Sequence, residues 1–172
     1  EPLYLPLAAF IIVASVNAVN ITDGLDGLAA GVSLPVAVSC AAISFTLGNA
    51  ASGFAASALA GALVGFLIYN FHPAKVIMGD TGSLFLGAVI CAITFAMDMP
   101  LIIVPLGAIY IIETLSDIVQ IAYYKRTKGK RLLKMAPIHH HFEMCGWSEY
   151  KITGIFTGVS AVFAVISYFA AV

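Results

Sequence analysis

The chain has 172 residues, of which 61% are hydrophobic and only 10% are charged, and its formal net charge is −1. With a mean hydropathy of +1.01, this composition excludes an ordinary soluble domain and indicates an integral membrane protein. The small net charge also excludes a broad basic surface, so we expect no nucleic-acid partner.

Six membrane-spanning helices are predicted from the long apolar runs. One crossing needs about 20 apolar residues, and a run in lipid must be helical because its backbone polar groups have no water to bind. In chain order the predicted spans are Leu3–Asn20, Gly24–Leu47, Ser52–Asn70, Ser83–Ala96, Leu101–Tyr124 and Tyr150–Ala171. We therefore predict an all-α fold, a polytopic membrane helix bundle that forms a single domain over residues 1–172.

The run from Lys125 to Lys151, which contains the predicted loop over residues 125–149, holds seven of the eight Lys and Arg residues. Because six crossings alternate sides, the eighth, Lys75, falls in a loop on the same side, and the loops of the opposite side contain no Lys or Arg. The positive-inside rule then places the basic side in the cytoplasm. All four histidines and most loop carboxylates also fall on this side, so we predict an active site that faces the cytoplasm.

The first predicted loop follows two asparagines, Asn17 and Asn20, that end a helix on one face. Amides in lipid are costly and usually have a partner, so we expect both to bind substrate. Gly24 would let a ligand approach the backbone closely, and carboxylates beside amides can recognise a nucleobase or a ribose. The competing interpretation is a helix cap, with Thr22 or Asp23 capping the second helix and Asp26 completing an arrangement similar to a capping box.

The second predicted loop places Asp80 between two glycines at the start of the fourth helix. Mg²⁺ prefers one or two carboxylates together with waters and phosphate oxygens, and a helix N-terminus favours anions. These preferences indicate a magnesium–phosphate site. The alternative is an Asx turn in which Asp80 or Ser83 only caps the helix.

A polar stripe on the fifth predicted helix consists of Glu113, Asp117, Gln120 and Tyr124. Steps of four, three and four keep these side chains within about 60° of one another around the helix. Acidic residues inside a membrane face the bundle interior or an aqueous cavity and are functional candidates. A buried polar seam whose members satisfy one another is the alternative.

Three consecutive histidines, His139, His140 and His141, lie within the basic loop. Zinc binding is one interpretation, because Cys145 is near in sequence. Neighbouring side chains diverge in either a strand or a helix, however, so three in a row seldom bind one ion. Binding and orienting phosphate is the interpretation that fits this geometry better.

Four motifs occur in the same order in a known family. They are Asn-Ala-Val-Asn-Ile-Thr-Asp-Gly-Leu-Asp-Gly-Leu from Asn17, Met-Gly-Asp-Thr-Gly-Ser from Met78, Glu-Thr-Leu-Ser from Glu113 and Ala-Pro-Ile-His-His-His-Phe-Glu from Ala136. Over essentially its whole length the chain resembles the phospho-N-acetylmuramoyl-pentapeptide transferases of bacterial cell-wall synthesis. These belong to the polyprenyl-phosphate N-acetylhexosamine-1-phosphate transferase superfamily.

The resemblance implies a Mg²⁺-dependent enzyme that transfers phospho-MurNAc-pentapeptide from UDP-MurNAc-pentapeptide to undecaprenyl phosphate, giving lipid I and UMP. It implies a multi-pass protein of the bacterial inner membrane that forms a homodimer. Family members have ten helices, of which this chain would supply the fifth to the tenth. An upstream half would then complete the site with paired aspartates and lysines.

The resemblance also assigns roles to individual residues. Asp80 is expected to bind magnesium, and Asp23 and the three histidines are expected to be catalytic. The uridine pocket would be lined by Gly24, Leu25, Asp26, Asn70 and Ile77, and the sugar–phosphate region by Gln120 and Ala136. Two positions depart from the family pattern: Ile77 replaces an aromatic residue that stacks on uracil in many members, and Asp117 stands where an apolar residue is expected.

Two other functions compete with this one. A sibling transferase would move GlcNAc-1-phosphate from UDP-GlcNAc to the same lipid, but the three-histidine motif argues against it. A transporter or channel subunit would need polar residues from several helices at mid-membrane. Here the acids collect on one side of the membrane, which favours an enzyme acting at the interface.

Overall fold

The computed structural model describes residues 2–172; residue 1, which the predicted domain includes, lies outside them. No strand occurs in the described part of the chain. In chain order the helices are α1 Tyr4–Thr22, α2 Leu28–Thr46, α3 Ala50–Asn70, α4 Gly79–Ala96, α5 Ile103–Leu106, α6 Ala108–Arg126, α7 Ile138–Glu143 and α8 Glu149–Ala171. The predicted all-α fold is therefore confirmed, and the boundaries of α1, α3 and α8 agree with the prediction to within two residues.

Five helices, namely α1, α2, α3, α4 and α8, are long and apolar enough to cross a membrane. The remaining predicted span, the fifth in chain order, is not a straight helix over residues 101–124. It is a broken pair, Pro100–Leu106 and Ala108–Arg126, bent by 76°. Pro105 has no N–H to continue the helical bonds, and at Gly107 a Cβ would lie 2.7 Å from the carbonyl oxygen of Ile103. Only glycine therefore fits the bend.

The second helix begins four residues later than predicted, at Leu28. Its N-cap is Gly27, whose φ of +75° is the left-handed conformation that glycine adopts without steric cost. Asp23 instead follows the last residue of α1, and its backbone N–H donates to the carbonyl oxygen of Asn20. The capping interpretation of Asp23 and Asp26 is wrong, so both carboxylates are free for other contacts.

The fourth helix begins at Gly79 rather than at Ser83, and it too has no side-chain cap. Asp80 lies in its first turn, and the Ser83 hydroxyl donates to the carbonyl oxygen of Gly79 within the same helix. The interpretation of Asp80 or Ser83 as a cap is therefore wrong as well. Its carboxylate remains available at the loop surface.

Helix α2 lies at the centre of one packing group, in contact with α3 and α8, whereas α1 packs against α4 and α6. Between helices in lipid, polar bonds and close packing stabilise the contact more than apolar burial does. Ser160 on α8 accordingly donates to the carbonyl oxygen of Val32 at 2.8 Å, and Ser39 on α2 donates to that of Ala164 at 2.8 Å. These bonds fix the two helices against each other.

Three connecting segments meet at one end of the bundle. We call them the first loop (residues 23–27), the second loop (71–78) and the third loop (127–148, which contains α7). Contacts join them: Asp26 of the first loop bonds to His72 of the second loop, and Gly24 of the first loop lies directly against the ring of His139 in the third loop. The prediction that the separate motifs share one side is therefore confirmed.

Candidate active site

The three loops and the start of α8 surround a cavity of about 360 Å³. Its lining residues are Asp23, Gly24, Leu25, Asp26, Asn70, Ile77, His140, Glu143 and Glu149. All of these except Glu143 and Glu149 were predicted as site residues. Because they come from three separate stretches of sequence, the fold assembles one polar pocket from motifs that lie far apart along the chain.

The carboxylates of Asp23 and Asp80 lie close enough to influence each other. Burial and, second, the negative charge of Asp80 raise the pKa of Asp23 to about 6, against a smaller opposing effect of a bond from the backbone of Gly79. Asn20 donates from Nδ2 to Asp80 Oδ1 at 3.2 Å and to Ser83 Oγ at 2.9 Å. Every salt-bridge contact among residues 2–172 is made by a histidine, so no Lys or Arg pairs with either carboxylate there.

This donor set fits a divalent cation. Two neighbouring carboxylates repel each other when both are ionised, and a hard cation that takes oxygen ligands relieves that repulsion. Burial is the main cause of the raised pKa of Asp23, and the negative charge of Asp80 adds to it. Asp23 and Asp80 are therefore the residues that could hold the predicted magnesium ion.

His139 forms a buried pair with Glu113. The imidazole Nδ1 lies 2.9 Å from Glu113 Oε2, and the two side chains are 1% and 0% exposed. Glu113 Oε1 and His139 Nε2 have no hydrogen-bond partner within the described residues. The ring lies directly on the first loop, since a Cβ on Gly24 would be 2.2 Å from Nε2. Glu113 thus fixes the ring, and Gly24 makes room for it.

The other two histidines face different partners. His140 lines the cavity, and its Nδ1 lies 2.9 Å from Glu143 Oε2. His141 Nδ1 accepts a bond from the backbone N–H of Lys134 at 3.1 Å, and its Nε2 lies 3.8 Å from the Cys145 sulfur. The rings of His139 and His140 lie in contact, with centroids 4.2 Å apart, so the prediction that all three side chains diverge is wrong for this pair. Among the described residues the three histidines nevertheless form no group that could hold one metal ion.

The polar stripe of α6 divides between two environments. Glu113 pairs with His139, whereas the others line a second cavity of about 350 Å³. The lining residues of that cavity are Asp117, Gln120, Ile121, Tyr124, Lys125, Arg131, Met135 and Ala136. The stripe is therefore not a seam whose members satisfy one another. Asp117 lines this cavity together with two cationic residues, Lys125 and Arg131.

Gln120 braces the third loop. Its Oε1 accepts bonds from the backbone N–H groups of Leu132 and Leu133, each at 3.0 Å, and its Nε2 donates to the carbonyl oxygen of Leu133 at 3.0 Å. The amide thus shapes the segment that leads to Ala136. Asn17, in contrast, is exposed and donates to the carbonyl oxygen of Val13 on its own helix, and the structure does not bring it to either cavity.

Comparison with known proteins identifies the family. The sequence model described as Glycosyl transferase family 4 matches residues 1–98. The chain belongs to glycosyl transferase family 4. Curated relatives named phospho-N-acetylmuramoyl-pentapeptide-transferase match nearly the whole chain, and the resemblance stated above is therefore confirmed.

Three such relatives show the extent of the similarity. The chain is 50% identical over 167 residues to the protein of Clostridium botulinum strain Eklund 17B, with 97% of the chain and 51% of the relative covered. Identity is 51% over 165 residues for Clostridium perfringens strain SM101 (96% and 51% covered) and 45% over 165 residues for Clostridium acetobutylicum (96% and 52% covered). The chain spans about half the length of the curated relatives it matches.

Three residues in or beside the first cavity were not predicted from the sequence as site residues. Glu143 and Glu149 line the first cavity, and His72 lies between Asp26 and Glu149. The signal for His72 was its place between Asn70 and Asp80, within a stretch already singled out. Its partners could not be identified, because they lie far away in sequence and meet it only in the folded chain.

Proposed function

We propose that the protein containing this chain transfers phospho-MurNAc-pentapeptide from UDP-MurNAc-pentapeptide to undecaprenyl phosphate and releases UMP. The observation that carries the proposal is the first cavity, where residues of the motifs quoted from this sequence gather at one end of the helix bundle. The three-histidine motif favours this donor over UDP-GlcNAc. An upstream half and a homodimer are the partners that the family resemblance adds.

In this proposal the uridine occupies the first cavity, next to Gly24, Leu25 and Asn70. Asn70 lines it while donating to the carbonyl oxygen of Val76 at 2.9 Å, which holds the second loop in place. Asp23 and Asp80 would hold Mg²⁺, which when bound would supply charge stabilisation to the pyrophosphate. His140, at the cavity wall, orients the phosphates as charge develops on them.

The acceptor lipid needs an apolar site within the membrane. A groove of about 390 Å³ between α1, α4 and α6 runs beside the bend at Gly107, and it is lined almost wholly by apolar side chains such as Phe10, Ile90 and Leu115. We assign the polyprenyl chain to this groove. The chemistry of the lining matches a hydrocarbon tail rather than a sugar or a nucleotide.

We further propose that the protein lies in the bacterial inner membrane with the cavity facing the cytoplasm. Cysteine labelling tests this orientation. Cys40 and Cys91 are buried and Cys145 is exposed, so Thr127→Cys reports the third loop in a background that carries Cys145→Ser and in which any cysteine of the upstream half is also replaced by serine. A membrane-impermeant maleimide should label it in inverted vesicles and not in intact cells; labelling in intact cells would overturn the orientation.

The function is tested by transfer assays on the full-length protein with Asp80→Asn. We expect loss of nearly all Mg²⁺-dependent transfer from UDP-MurNAc-pentapeptide, because the substitution removes a proposed metal ligand. Asp98→Asn is the matched control: Asp98 is exposed, lies in another loop, and has a φ of +57° that asparagine also tolerates. Normal turnover of the Asp80 variant would contradict the metal assignment, and preferential use of UDP-GlcNAc would contradict the donor.

A further inference from the structure

His72 connects three elements of the first cavity. Its Nδ1 lies 3.1 Å from Asp26 Oδ2 and 3.2 Å from Glu149 Oε2. Asp26 belongs to the first loop, His72 to the second loop, and Glu149 is the first residue of α8. A single imidazole therefore links all three segments at the wall of the pocket.

Further hydrogen bonds hold the same two acidic residues in place. Asp26 Oδ2 accepts from the backbone N–H of Ala74 at 2.9 Å. The backbone N–H of Asp26 donates to Glu149 Oε2 at 3.3 Å, and the hydroxyl of Thr153 donates to the carbonyl oxygen of Asp26 at 3.2 Å. One oxygen of each carboxylate is thus occupied, while Asp26 Oδ1 and Glu149 Oε1 make no hydrogen bond among residues 2–172.

The charge balance around His72 determines its hydrogen-bonding role. No Lys or Arg within the described residues forms a salt bridge with Asp26 or Glu149, because every such contact there comes from a histidine. An unprotonated Nδ1 would place a lone pair against two carboxylate oxygens. Nδ1 must therefore carry its proton, which the two oxygens share.

The second side of the imidazole is held by packing. The ring of Tyr150 meets that of His72 edge-on, with centroids 5.0 Å apart. Tyr150 also contacts Phe71, with centroids 5.5 Å apart. The ring of His72 is consequently held against the start of α8, although its side chain is 34% exposed.

We propose that His72 is a positioning residue for nucleotide recognition. By holding one oxygen of Asp26 and one of Glu149, it directs the two remaining oxygens into the cavity, where they accept hydrogen bonds from the donor groups of uridine. Uracil offers one ring N–H and ribose two hydroxyls, and carboxylate oxygens accept from both kinds of donor. The proposal rests on the proposed function, because it takes a uridine nucleotide as the occupant.

Binding of UMP to the full-length protein, measured by calorimetry in EDTA, tests this role directly. His72→Ala should weaken UMP binding about tenfold, as expected when a charge-assisted hydrogen bond is lost. His72→Asn should recover much of the affinity, because its amide N–H can replace Nδ1–H. Asp98→Asn, which changes an exposed residue in another loop, should bind UMP as the unsubstituted protein does.

Kinetic assays separate positioning from general destabilisation. His72→Ala should raise KM for the UDP-linked donor while kcat and KM for undecaprenyl phosphate change little. Glu149→Gln should have a similar effect, and the double variant should be no worse than either single one, because both remove the same arrangement. Unchanged UMP affinity in His72→Ala, or an equal loss for both substrates, would overturn the proposal.

Two outcomes distinguish this inference from its alternatives. The three ligand atoms lie within 4.8 Å of one another and could hold a metal ion, so UMP binding that requires added Zn²⁺ and vanishes in EDTA would overturn the positioning role. If UMP binding depends on His72 but the protein fails to use UDP-MurNAc-pentapeptide, the positioning role stands and the proposed function fails.

Discussion

Two histidine–carboxylate contacts support the same cavity in opposite ways. His139 and Glu113 meet at 2.9 Å with exposures of 1% and 0%, whereas His72 and Asp26 meet at 3.1 Å with exposures of 34% and 31%. When one member of a buried pair is removed, no water reaches the other member to replace the lost hydrogen bond. When one member of a half-exposed pair is removed, water can form that hydrogen bond instead. The first contact should therefore determine stability, and the second should determine how ligands are bound.

Glu113→Ala should have the largest effect on stability. It leaves His139 Nδ1 buried without a partner, and Nε2 already has none among the described residues. Leaving a buried polar group unsatisfied costs about 3 kcal/mol at the upper end. Thermal unfolding of the full-length protein in detergent should show a clear fall in Tm, whereas His72→Ala should leave Tm nearly unchanged. Equal losses in the two variants would contradict the distinction between the contacts.

Gly24→Ala should have the next largest effect on stability. Gly24 lies on the side of the His139 ring opposite to Glu113. The added Cβ would lie 2.2 Å from His139 Nε2, and Glu113 prevents the ring from turning away. Overpacking of this kind costs about 2 kcal/mol. The expected Tm loss should shrink in a His139→Ala background, where the obstructing ring is gone. The same loss in both backgrounds would show that the ring does not set the space at Gly24.

The regular parts of this architecture could be predicted from sequence, and the contacts between distant residues could not. Apolar runs and basic residues predict six spans and a shared polar side, because both are properties of local composition. The bend at Gly107 was not predicted, because hydropathy contains no information on backbone geometry. The nearby Pro105, two residues earlier, was not used as a sign of a break. The late start of α2 was missed because Asp23 and Asp26 match a capping box in sequence, while Gly27 provides the turn by its conformation.

The pairing of the site residues depends on tertiary packing alone. Glu113 was found as part of a stripe, but nothing in its spacing distinguishes it from Asp117, which lines a different cavity. His72 lies 46 residues from Asp26, so no local pattern connects them. Sequence thus predicted most residues of the first cavity, but not which of them support the others.

Asp23 is a third carboxylate for this comparison, since it lines the same cavity but forms no salt bridge with a histidine among the described residues. The change expected at Asp23, a shift of its pKa, is the smallest of the predicted effects. Burial is the main cause of its raised pKa, and the charge of Asp80 is the second. Asp80→Asn removes only the second cause, so the pKa of Asp23 should fall from about 6 while staying above 3.8, because the effect of burial remains.

Infrared difference titration of the full-length protein without added Mg²⁺ would measure this change, with Asp23→Asn identifying the band. An acid whose pKa is raised on folding stabilises the folded state only while protonated. That contribution is complete below pH 3.8 and is lost as the pH rises through about 6. Asp80→Asn should therefore reduce the loss of stability over this interval. If the titration midpoint does not move, the two carboxylates do not interact, and the cation that we assign to them would have no shared charge to neutralise.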